Sequence, residues 1–159
     1  MATVIEQSEE DSLVLRAGQR LGGKSTFKTP LRSRLDAHKS IEQGFPGGVL
    51  IQLSRDVPLL RDTVAFEKAM GISLRTLQRR KKEASPKRLS VEQSGRAWRF
   101  AELLEKAIEV FGSQEEAEDF FGRPAIGLDQ HRPIDLLSTP AGSELVETHL
   151  ERLKYGVYA

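Results

Sequence analysis

One stretch of the chain, residues 18–25, has the residue types and spacing of a phosphate-binding loop. Its sequence, Gly-Gln-Arg-Leu-Gly-Gly-Lys-Ser, satisfies the pattern G-x-x-x-x-G-K-[ST]. In nucleotide hydrolases such a loop joins a buried strand to a long helix, so that backbone N–H groups and the lysine hold phosphates and the hydroxyl binds magnesium. Here Pro30 ends any following helix early, and no later apolar strand ends in an aspartate. We interpret the match as a coincidence within a glycine- and lysine-rich segment.

Other catalytic or metal-binding patterns are missing from the sequence. The three histidines, His38, His131 and His149, do not form pairs at metal-ligand spacing, and there is no cysteine to act as a thiolate ligand or nucleophile. No Gly-x-Ser-x-Gly segment occurs. The sequence therefore predicts a protein that is not an enzyme, with no metal, no other cofactor and no small-molecule substrate.

The strongest functional signal is a helix-turn-helix pattern in residues 63–82. A short apolar helix ends at Gly71, and Ser73 can cap a second helix that carries five consecutive polar or basic residues, 78–82. In this arrangement the second helix enters the DNA major groove, where its early residues contact base edges and its basic residues contact phosphates. The predicted DNA-binding residues are Ser73, Arg75, Thr76, Gln78, Arg79, Arg80 and Lys82. The alternative is an ordinary pair of helices with one basic, exposed face.

The elements around this motif are all predicted to be helical. Leu31, Leu35, His38 and Ile41 recur at helical spacing before Gly44, and no segment alternates with a period of two for more than a few residues. Residues 1–29 show no sustained period and are expected to form a mobile arm outside the core. We predict an all-α fold.

The C-terminal half contains the clearest helix boundaries. Ser90 with Gln93 predicts a capping box at the start of a long helix that ends at Gly112. Further helices are predicted to begin at Ser113, at Pro133 and at Thr139, and the last of them to stop near Lys154. Each of two helices is expected to carry an apolar face. The face on the long helix should fill the core and form a dimer contact, and it consists of Trp98, Ala101, Leu104, Ile108 and Phe111. The face on the last helix consists of Leu145, Val146, His149, Leu150 and Leu153.

Charge is strongly segregated along the 159 residues, although the net charge is only +1. Residues 13–39 and residues 73–89 each contain seven Lys or Arg and one acid, whereas residues 100–121 contain seven acids and one Lys. Basic segments suit a polyanion such as DNA, although they can also be solvated helix faces. With no secretory signal pattern and no apolar run of about 20 residues, we expect a cytoplasmic protein without a membrane contact.

The chain resembles the Xre/MbcA/ParS antitoxins of bacterial toxin–antitoxin modules, and more closely the Xre partners of RES-domain toxins. The resemblance covers residues from about 38 to the end. It is carried by 44–46 (Gly-Phe-Pro), 71–73 (Gly-Ile-Ser), 76–80 (Thr-Leu-Gln-Arg-Arg), Ser94, Arg96, Arg99, 107–112 (Ala-Ile-Glu-Val-Phe-Gly), 132–137 (Arg-Pro-Ile-Asp-Leu-Leu), Gly142, Val146, Leu150 and 155–159 (Tyr-Gly-Val-Tyr-Ala). It implies an Xre-like helix-turn-helix region in residues 30–89 and a helical region for dimerisation and toxin binding in residues 90–159.

The resemblance also implies a function. The antitoxin would bind and inhibit a RES-type toxin that consumes NAD, form a homodimer, and bind operator DNA to repress its own operon. The C-terminus of such antitoxins approaches the toxin pocket, and here the tail of five residues could extend on the order of 17 Å beyond the last helix. The implied toxin-binding residues are Arg132, Pro133, Leu136, Leu150, Lys154, Tyr155, Gly156, Val157, Tyr158 and Ala159. The alternatives are a stand-alone helix-turn-helix regulator and, for the tail, a frayed terminus.

Overall fold

The computed structural model describes residues 2–83 and 87–156, and these form nine α-helices joined by short connections. The helices are α1 (Ala2–Arg20), α2 (Arg34–Gln43), α3 (Gly48–Asp56), α4 (Thr63–Met70), α5 (Leu74–Lys81), α6 (Val91–Phe111), α7 (Gln114–Gly122), α8 (Pro133–Leu136) and α9 (Pro140–Lys154). Single 3-10 turns occur at Gly23–Ser25, Pro58–Arg61 and Ile126–Leu128. The predicted all-α fold is confirmed.

The long helix α6 is the centre of the hydrophobic core. Its 21 residues span about 31 Å at 1.5 Å per residue, and α1, α2, α4, α7 and α9 all pack against it. Phe100, Leu103 and Leu104 on α6 are fully buried, together with Phe66 from α4 and Phe121 from α7. One core therefore joins the helix-turn-helix segment to the C-terminal helices.

The predicted helix boundaries in the C-terminal half are confirmed by their caps. The Ser90 hydroxyl accepts a hydrogen bond from the backbone N–H of Gln93, and the Gln93 side chain accepts one from the N–H of Ser90. Gly112 ends α6 in the left-handed conformation (φ 93°). Ser113 and Thr139 cap α7 and α9 through their side-chain oxygens. Each N-terminal cap satisfies an N–H group that the helix itself leaves without a partner, and the Gly112 N–H donates to the Ile108 carbonyl at the other end of α6.

The expectation of a mobile arm in residues 1–29 is wrong. Residues 2–20 form α1, and Leu13, Val14 and Ala17 are buried against the core. Farther along, the rings of Phe27 and Phe45 meet edge to face with centroids 5.3 Å apart. The apolar residues of α1 follow helical spacing only from Leu13 onward, after a first half that is mostly polar, and so the average pattern of the segment conceals them.

Two predicted apolar faces also differ from the structure. In α2 the buried residue is Ala37, whereas Leu35 and His38 are exposed. Leu31 lies before the first residue of the helix, so a helical spacing counted from Leu31 assigns the wrong side of α2 to the core. Trp98, Ala101 and Leu104 are buried within a single chain, as expected for core residues. They consequently present no surface to a dimer contact.

Candidate nucleic-acid and partner-protein interfaces

The helix-turn-helix is built by a cap at each junction. The Asp62 carboxylate accepts hydrogen bonds from the N–H groups of Val64 and Ala65 (2.9 and 3.1 Å) and starts α4. Gly71 ends α4 at φ 71°, a conformation that strongly favours glycine. Ser73 then starts α5 by accepting from the N–H of Thr76 at 3.1 Å. The predicted helix, turn and second helix are therefore present, with the boundaries expected from the sequence.

One side of α5 is exposed and basic. Arg75, Gln78, Arg79 and Lys82 are exposed at helical spacing, and with Thr76 and Lys81 they line a shallow depression along the helix. A row of this kind can place guanidinium and amide groups against base edges and ammonium groups against phosphates. The depression brings together most of the predicted DNA-binding residues. We call Arg75, Gln78, Arg79 and Lys82 the α5 face.

Two of the predicted DNA-binding residues are placed differently. Arg80 is half-buried and does not line the depression. The Ser73 hydroxyl accepts from the Thr76 N–H and donates to Thr76 Oγ1 at 2.7 Å, so it is occupied within the helix cap. The structure gives Ser73 a part in positioning α5, since the cap fixes where the helix begins.

Arg96 on α6 holds the turn against the C-terminal helices, a role that sequence reasoning missed. Its guanidinium donates to the backbone carbonyl of Lys68 at the end of α4 (2.9 Å) and to that of Ser138 before α9 (3.1 Å). A Cβ at position 71 would overlap the guanidinium group, so a larger residue there would displace Arg96 from this position. Both contacts join residues far apart in the chain, so nothing in the local pattern reveals them.

Two predicted toxin-binding residues belong to the core instead. Pro133 and Leu150 are buried, and a partner protein cannot touch them without unpacking α8 and α9. Leu136 is half-buried, and Arg132 holds the start of α8 with two hydrogen bonds to the Asp135 carboxylate (3.0 and 3.1 Å). The family resemblance implied Pro133 and Leu150 as toxin-binding residues, but a shared sequence motif does not distinguish a core position from a binding position.

The exposed side of α9 offers a different set of residues. Leu145 is 56% exposed and Tyr155, which follows the helix, is 72% exposed. Thr148 and Arg152 lie between them on the same side of the helix and are also exposed. The expectation that Leu145 packs with Val146 and Leu150 is therefore wrong. We call Leu145, Thr148, Arg152 and Tyr155 the α9 face.

The end of α9 and the start of the tail follow the sequence-based boundary. Lys154 Nζ lies 3.2 Å from a Glu109 carboxylate oxygen and 3.8 Å from one of Glu9, which ties the helix end to α6 and α1. Gly156 turns the chain at φ 70°. The remaining predicted tail residues, Val157, Tyr158 and Ala159, lie outside the described residues.

The opposite side of α9 is fixed to α6 by a partly buried ion-pair cluster. Lys106 and Arg99 on α6 both contact the Glu147 carboxylate. Burial alone would raise the pKa of Glu147, but the hydrogen bond from Lys106 and the charges of Lys106, Arg99 and Arg34 hold it below its usual value. A carboxylate that stays ionised in this position orients α9, so that its other side faces outward.

The segment 18–25 does not have the geometry of a phosphate loop. Gly18 and Arg20 lie within α1, and the chain then forms only the single turn Gly23–Ser25. A helix precedes the motif where a phosphate loop needs a strand. The described residues also contain no cluster of three or more His, Asp or Glu side chains that could hold a metal ion. None of their helices is both long and apolar enough to cross a bilayer.

Comparisons with known proteins match both regions. Residues 36–102 match the antitoxin Xre-like helix-turn-helix domain, and residues 106–156 match the antitoxin Xre/MbcA/ParS C-terminal toxin-binding domain. Antitoxin Xre of Yersinia enterocolitica is 31% identical over 123 residues, which is 76% of this chain and 79% of that protein. Antitoxin Xre of Pseudomonas putida is 30% identical over 129 residues, 79% of this chain and 76% of that protein. The chain belongs to the Xre/MbcA/ParS family of antitoxins, with a helix-turn-helix domain followed by a toxin-binding domain.

Proposed function

We propose that this antitoxin binds a RES-type, NAD-consuming toxin through the α9 face and the tail, and that it represses its own operon as a homodimer through the α5 face. The observation that carries the toxin part is the exposure of Leu145 and Tyr155 on one side of α9, within the span that matches a toxin-binding domain. Large exposed apolar and aromatic side chains are typical anchors of protein interfaces.

The tail suits a cleft that accepts a dinucleotide. An α-helix with its side chains is about 10–12 Å wide, whereas an extended chain is much narrower. Tyr155 and Tyr158 offer aromatic rings with a polar tip, which suits them to anchor an extended segment in such a cleft. We infer that the tail competes with NAD for the toxin's pocket while the α9 face provides the affinity.

The toxin contact is tested with a matched pair of substitutions. Leu145→Glu should weaken capture of the co-expressed toxin, because it buries a charge in the proposed interface. Val91→Glu changes a side chain of nearly equal exposure, 55% against 56%, outside the toxin-binding span and should leave capture unchanged. Equal capture by both variants contradicts a contact at the α9 face.

The tail is tested by deletion. An antitoxin lacking residues 155–159 should fold, because Tyr155 and Gly156 are exposed. It should still bind the toxin through Leu145, Thr148 and Arg152 of the α9 face. It should restore part of the toxin's NAD consumption, measured as NAD loss in a purified complex. If the truncated protein inhibits the toxin completely, inhibition comes from the rest of the complex and the tail is only a frayed end.

Operator recognition is tested on the α5 face. Arg75→Ala or Gln78→Ala should each lower discrimination between operator and scrambled DNA by about 1–3 kcal/mol, because these residues are placed to read bases. Lys82→Ala should weaken binding to both DNAs equally and reduce the salt dependence, as expected for a phosphate contact. Equal losses on both DNAs for all three variants would remove the assignment of α5 as the recognition helix.

The dimer follows from the size of the recognition helix. A single helix reads only a few base pairs, so useful affinity requires two copies on a two-fold symmetric site. Sedimentation at micromolar concentration should show a dimer. A protein that stays monomeric both alone and on operator DNA contradicts this part of the proposal.

A further inference from the structure

A second basic surface lies beside the helix-turn-helix, outside the α5 face. Three exposed cations, Lys28, Lys39 and Arg88, line one open cavity of about 470 Å³. They come from three separate segments: the stretch before α2, α2 itself and the stretch before α6. We call Lys28, Lys39 and Arg88 the flanking patch. Their spacing in the sequence does not predict that they lie together. The fold brings the three segments to one cavity.

The balance of charge in this cavity favours an anion. Among the described residues, Asp36 is the single acidic residue that lines it, and three cations against one carboxylate leave a formal charge of +2 there. The Asp36 carboxylate already accepts hydrogen bonds from the N–H groups of Arg32 and Ser33, at 3.0 and 3.2 Å. The pKa of Asp36 lies below its usual value because of these hydrogen bonds, a further one with the Ser33 side chain and the positive charge of Lys39. Desolvation acts in the opposite direction and is outweighed. The charge of Asp36 is therefore engaged in capping α2, while the three cations face the cavity.

The polar part of the remaining lining adds uncharged hydrogen-bond donors, beside apolar residues such as Phe27 and Pro30. Thr29, Ser40 and Gln43 all line the same cavity. Hydroxyl and amide side chains together with Lys and Arg are the groups that contact phosphate and sugar in protein–DNA complexes. The set matches the backbone of a nucleic acid better than it matches an apolar ligand.

The flanking patch is fixed by direct hydrogen bonds to the segment that leads into α3. The N–H of Leu89 donates to the carbonyl of Phe45 at 2.8 Å, and the Arg88 guanidinium donates to the carbonyl of Gly44 at 2.6 Å. Residues 44–46 lead directly into α3, and α3 packs against the recognition helix α5. The patch is therefore linked through α3 to the helix that carries the α5 face.

The distance to the recognition helix is short. Five Cα–Cα steps separate Lys82, at the end of α5, from Lys87, which adjoins Arg88, and so the two lie at most about 18 Å apart. One turn of DNA is about 34 Å long. A duplex that occupies the α5 face is therefore long enough to reach Arg88 of the flanking patch.

We propose that Lys28, Lys39 and Arg88 form a second DNA-contact surface that binds phosphates of the backbone beside the site occupied by α5. The inference rests on the proposed DNA binding by the α5 face and extends it to the segment before α2. Lys28 lies outside the span that matches the helix-turn-helix domain. The patch contributes affinity and fixes the orientation of the protein on DNA, and it does not read bases.

The experiment measures binding of the full chain to a fluorescent duplex from the upstream region of its own operon, and to a scrambled duplex, over a series of salt concentrations. Lys28→Gln and Lys39→Gln are the test variants, because both lysines are exposed. Arg123→Gln is the matched control, since it also removes one exposed positive charge but lies in the toxin-binding span. Arg88 is left intact because its guanidinium also holds Gly44.

Each test variant should lower the slope of log K against log salt by about 0.9, and the double variant by about 1.8. By the same relation the double variant should bind both duplexes at least about tenfold more weakly near 0.1 M salt. The preference for operator over scrambled DNA should be unchanged, and Arg123→Gln should bind like the wild type.

The outcomes separate this inference from the proposal on which it rests. If Lys28→Gln and Lys39→Gln keep the wild-type slope while Arg75→Ala still loses discrimination, the α5 face stands and the flanking patch is refuted. If the double variant loses preference for the operator rather than general affinity, the patch reads bases and its assignment to phosphates is wrong. If the wild-type protein binds neither duplex, both proposals fail together.

Discussion

The substitution Gly142→Ala tests whether α9 packs tightly against the backbone of Leu136. Helix propensity alone would make this change stabilising, whereas a tight contact would make it destabilising. Gly142 lies in the first turn of α9, and an ideal Cβ there would lie 2.8 Å from the carbonyl carbon of Leu136 and would overlap its carbonyl oxygen. Ordinary contacts of this kind begin near 3.4 Å. The obstacle is backbone rather than a flexible side chain, so Gly142→Ala must displace the α8–α9 junction. Overpacking typically costs about 1–3 kcal/mol, and we expect about 3 kcal/mol or more here.

Gly95 is the matched control. It lies in the interior of α6, where an added Cβ would meet only Ile41 Cγ2 at 3.9 Å. Gly95→Ala should therefore stabilise the protein by about 0.5–1 kcal/mol, through better helix propensity. For a chain of this length the two variants should melt about 6–12 °C below and about 1–4 °C above the wild type.

Chemical denaturation monitored by circular dichroism measures the free energy of unfolding of each variant and of the wild type. The three values can be compared if the free energy falls with denaturant concentration at the same slope in all three proteins. The decisive result is whether the free energy of unfolding falls in Gly142→Ala while it rises in Gly95→Ala. Should Gly142→Ala prove as stable as Gly95→Ala, the close approach of α9 to Leu136 does not exist in solution. In that case the placement of the α9 face is wrong as well.

Two further predictions concern buried charge. Arg20→Met should destabilise the protein by about 2–3 kcal/mol in urea denaturation. The change leaves the Glu105 carboxylate, which Arg20 contacts at 2.9 Å, buried without this partner. The additional change Glu105→Met should recover much of the lost stability, because it removes the buried charge. Burial of the His149 ring, and then the charge of Arg152, lower the pKa of His149 below 6.5. The folded state therefore holds it neutral, and stability should fall as the pH drops below about 6.5. His149→Gln should remove this slope between pH 7 and pH 5, and an unchanged slope would assign it to other groups.

Helix boundaries were predictable from the sequence because caps are local. Ser90 with Gln93, or Gly71 with Ser73, specify a helix end through hydrogen bonds and backbone angles within a few residues of one another. The same locality made the helix-turn-helix visible, since its turn, its cap and its basic second helix are contiguous. Exposure of Arg75, Gln78 and Lys82 was predictable from their polar or charged side chains alone.

Burial was less predictable, because it depends on which helices meet. Leu145 and Leu150 are both leucines of α9 five positions apart, yet one faces outward and the other lies in the core. A spacing of five places the two side chains about 140° apart around the helix, and the packing of α9 against α6 determines which of the two sides is buried. In the same way, α1 is stable through its contact with α6, while its own first half is polar. Tertiary contacts of this type override the local pattern.

The arrangement of the helices constrains how toxin binding and DNA binding communicate. The helix-turn-helix domain match ends at residue 102 and the toxin-binding match begins at 106, and both limits fall within the continuous helix α6. Arg20 of α1 contacts Glu105 at this junction and Gln114 beyond it. A helix braced in this way leaves no flexible linker of the kind that permits two domains to move independently.

We therefore expect the α5 face and the α9 face to keep a fixed relation within each chain when toxin binds. A change in operator affinity on toxin binding would then arise from the number and spacing of α5 helices that one complex presents to DNA, since linked sites raise the overall affinity without any new contact. In the proposed repression, a change in the ratio of toxin to antitoxin would act by altering the assembly, while the antitoxin chain itself stays rigid.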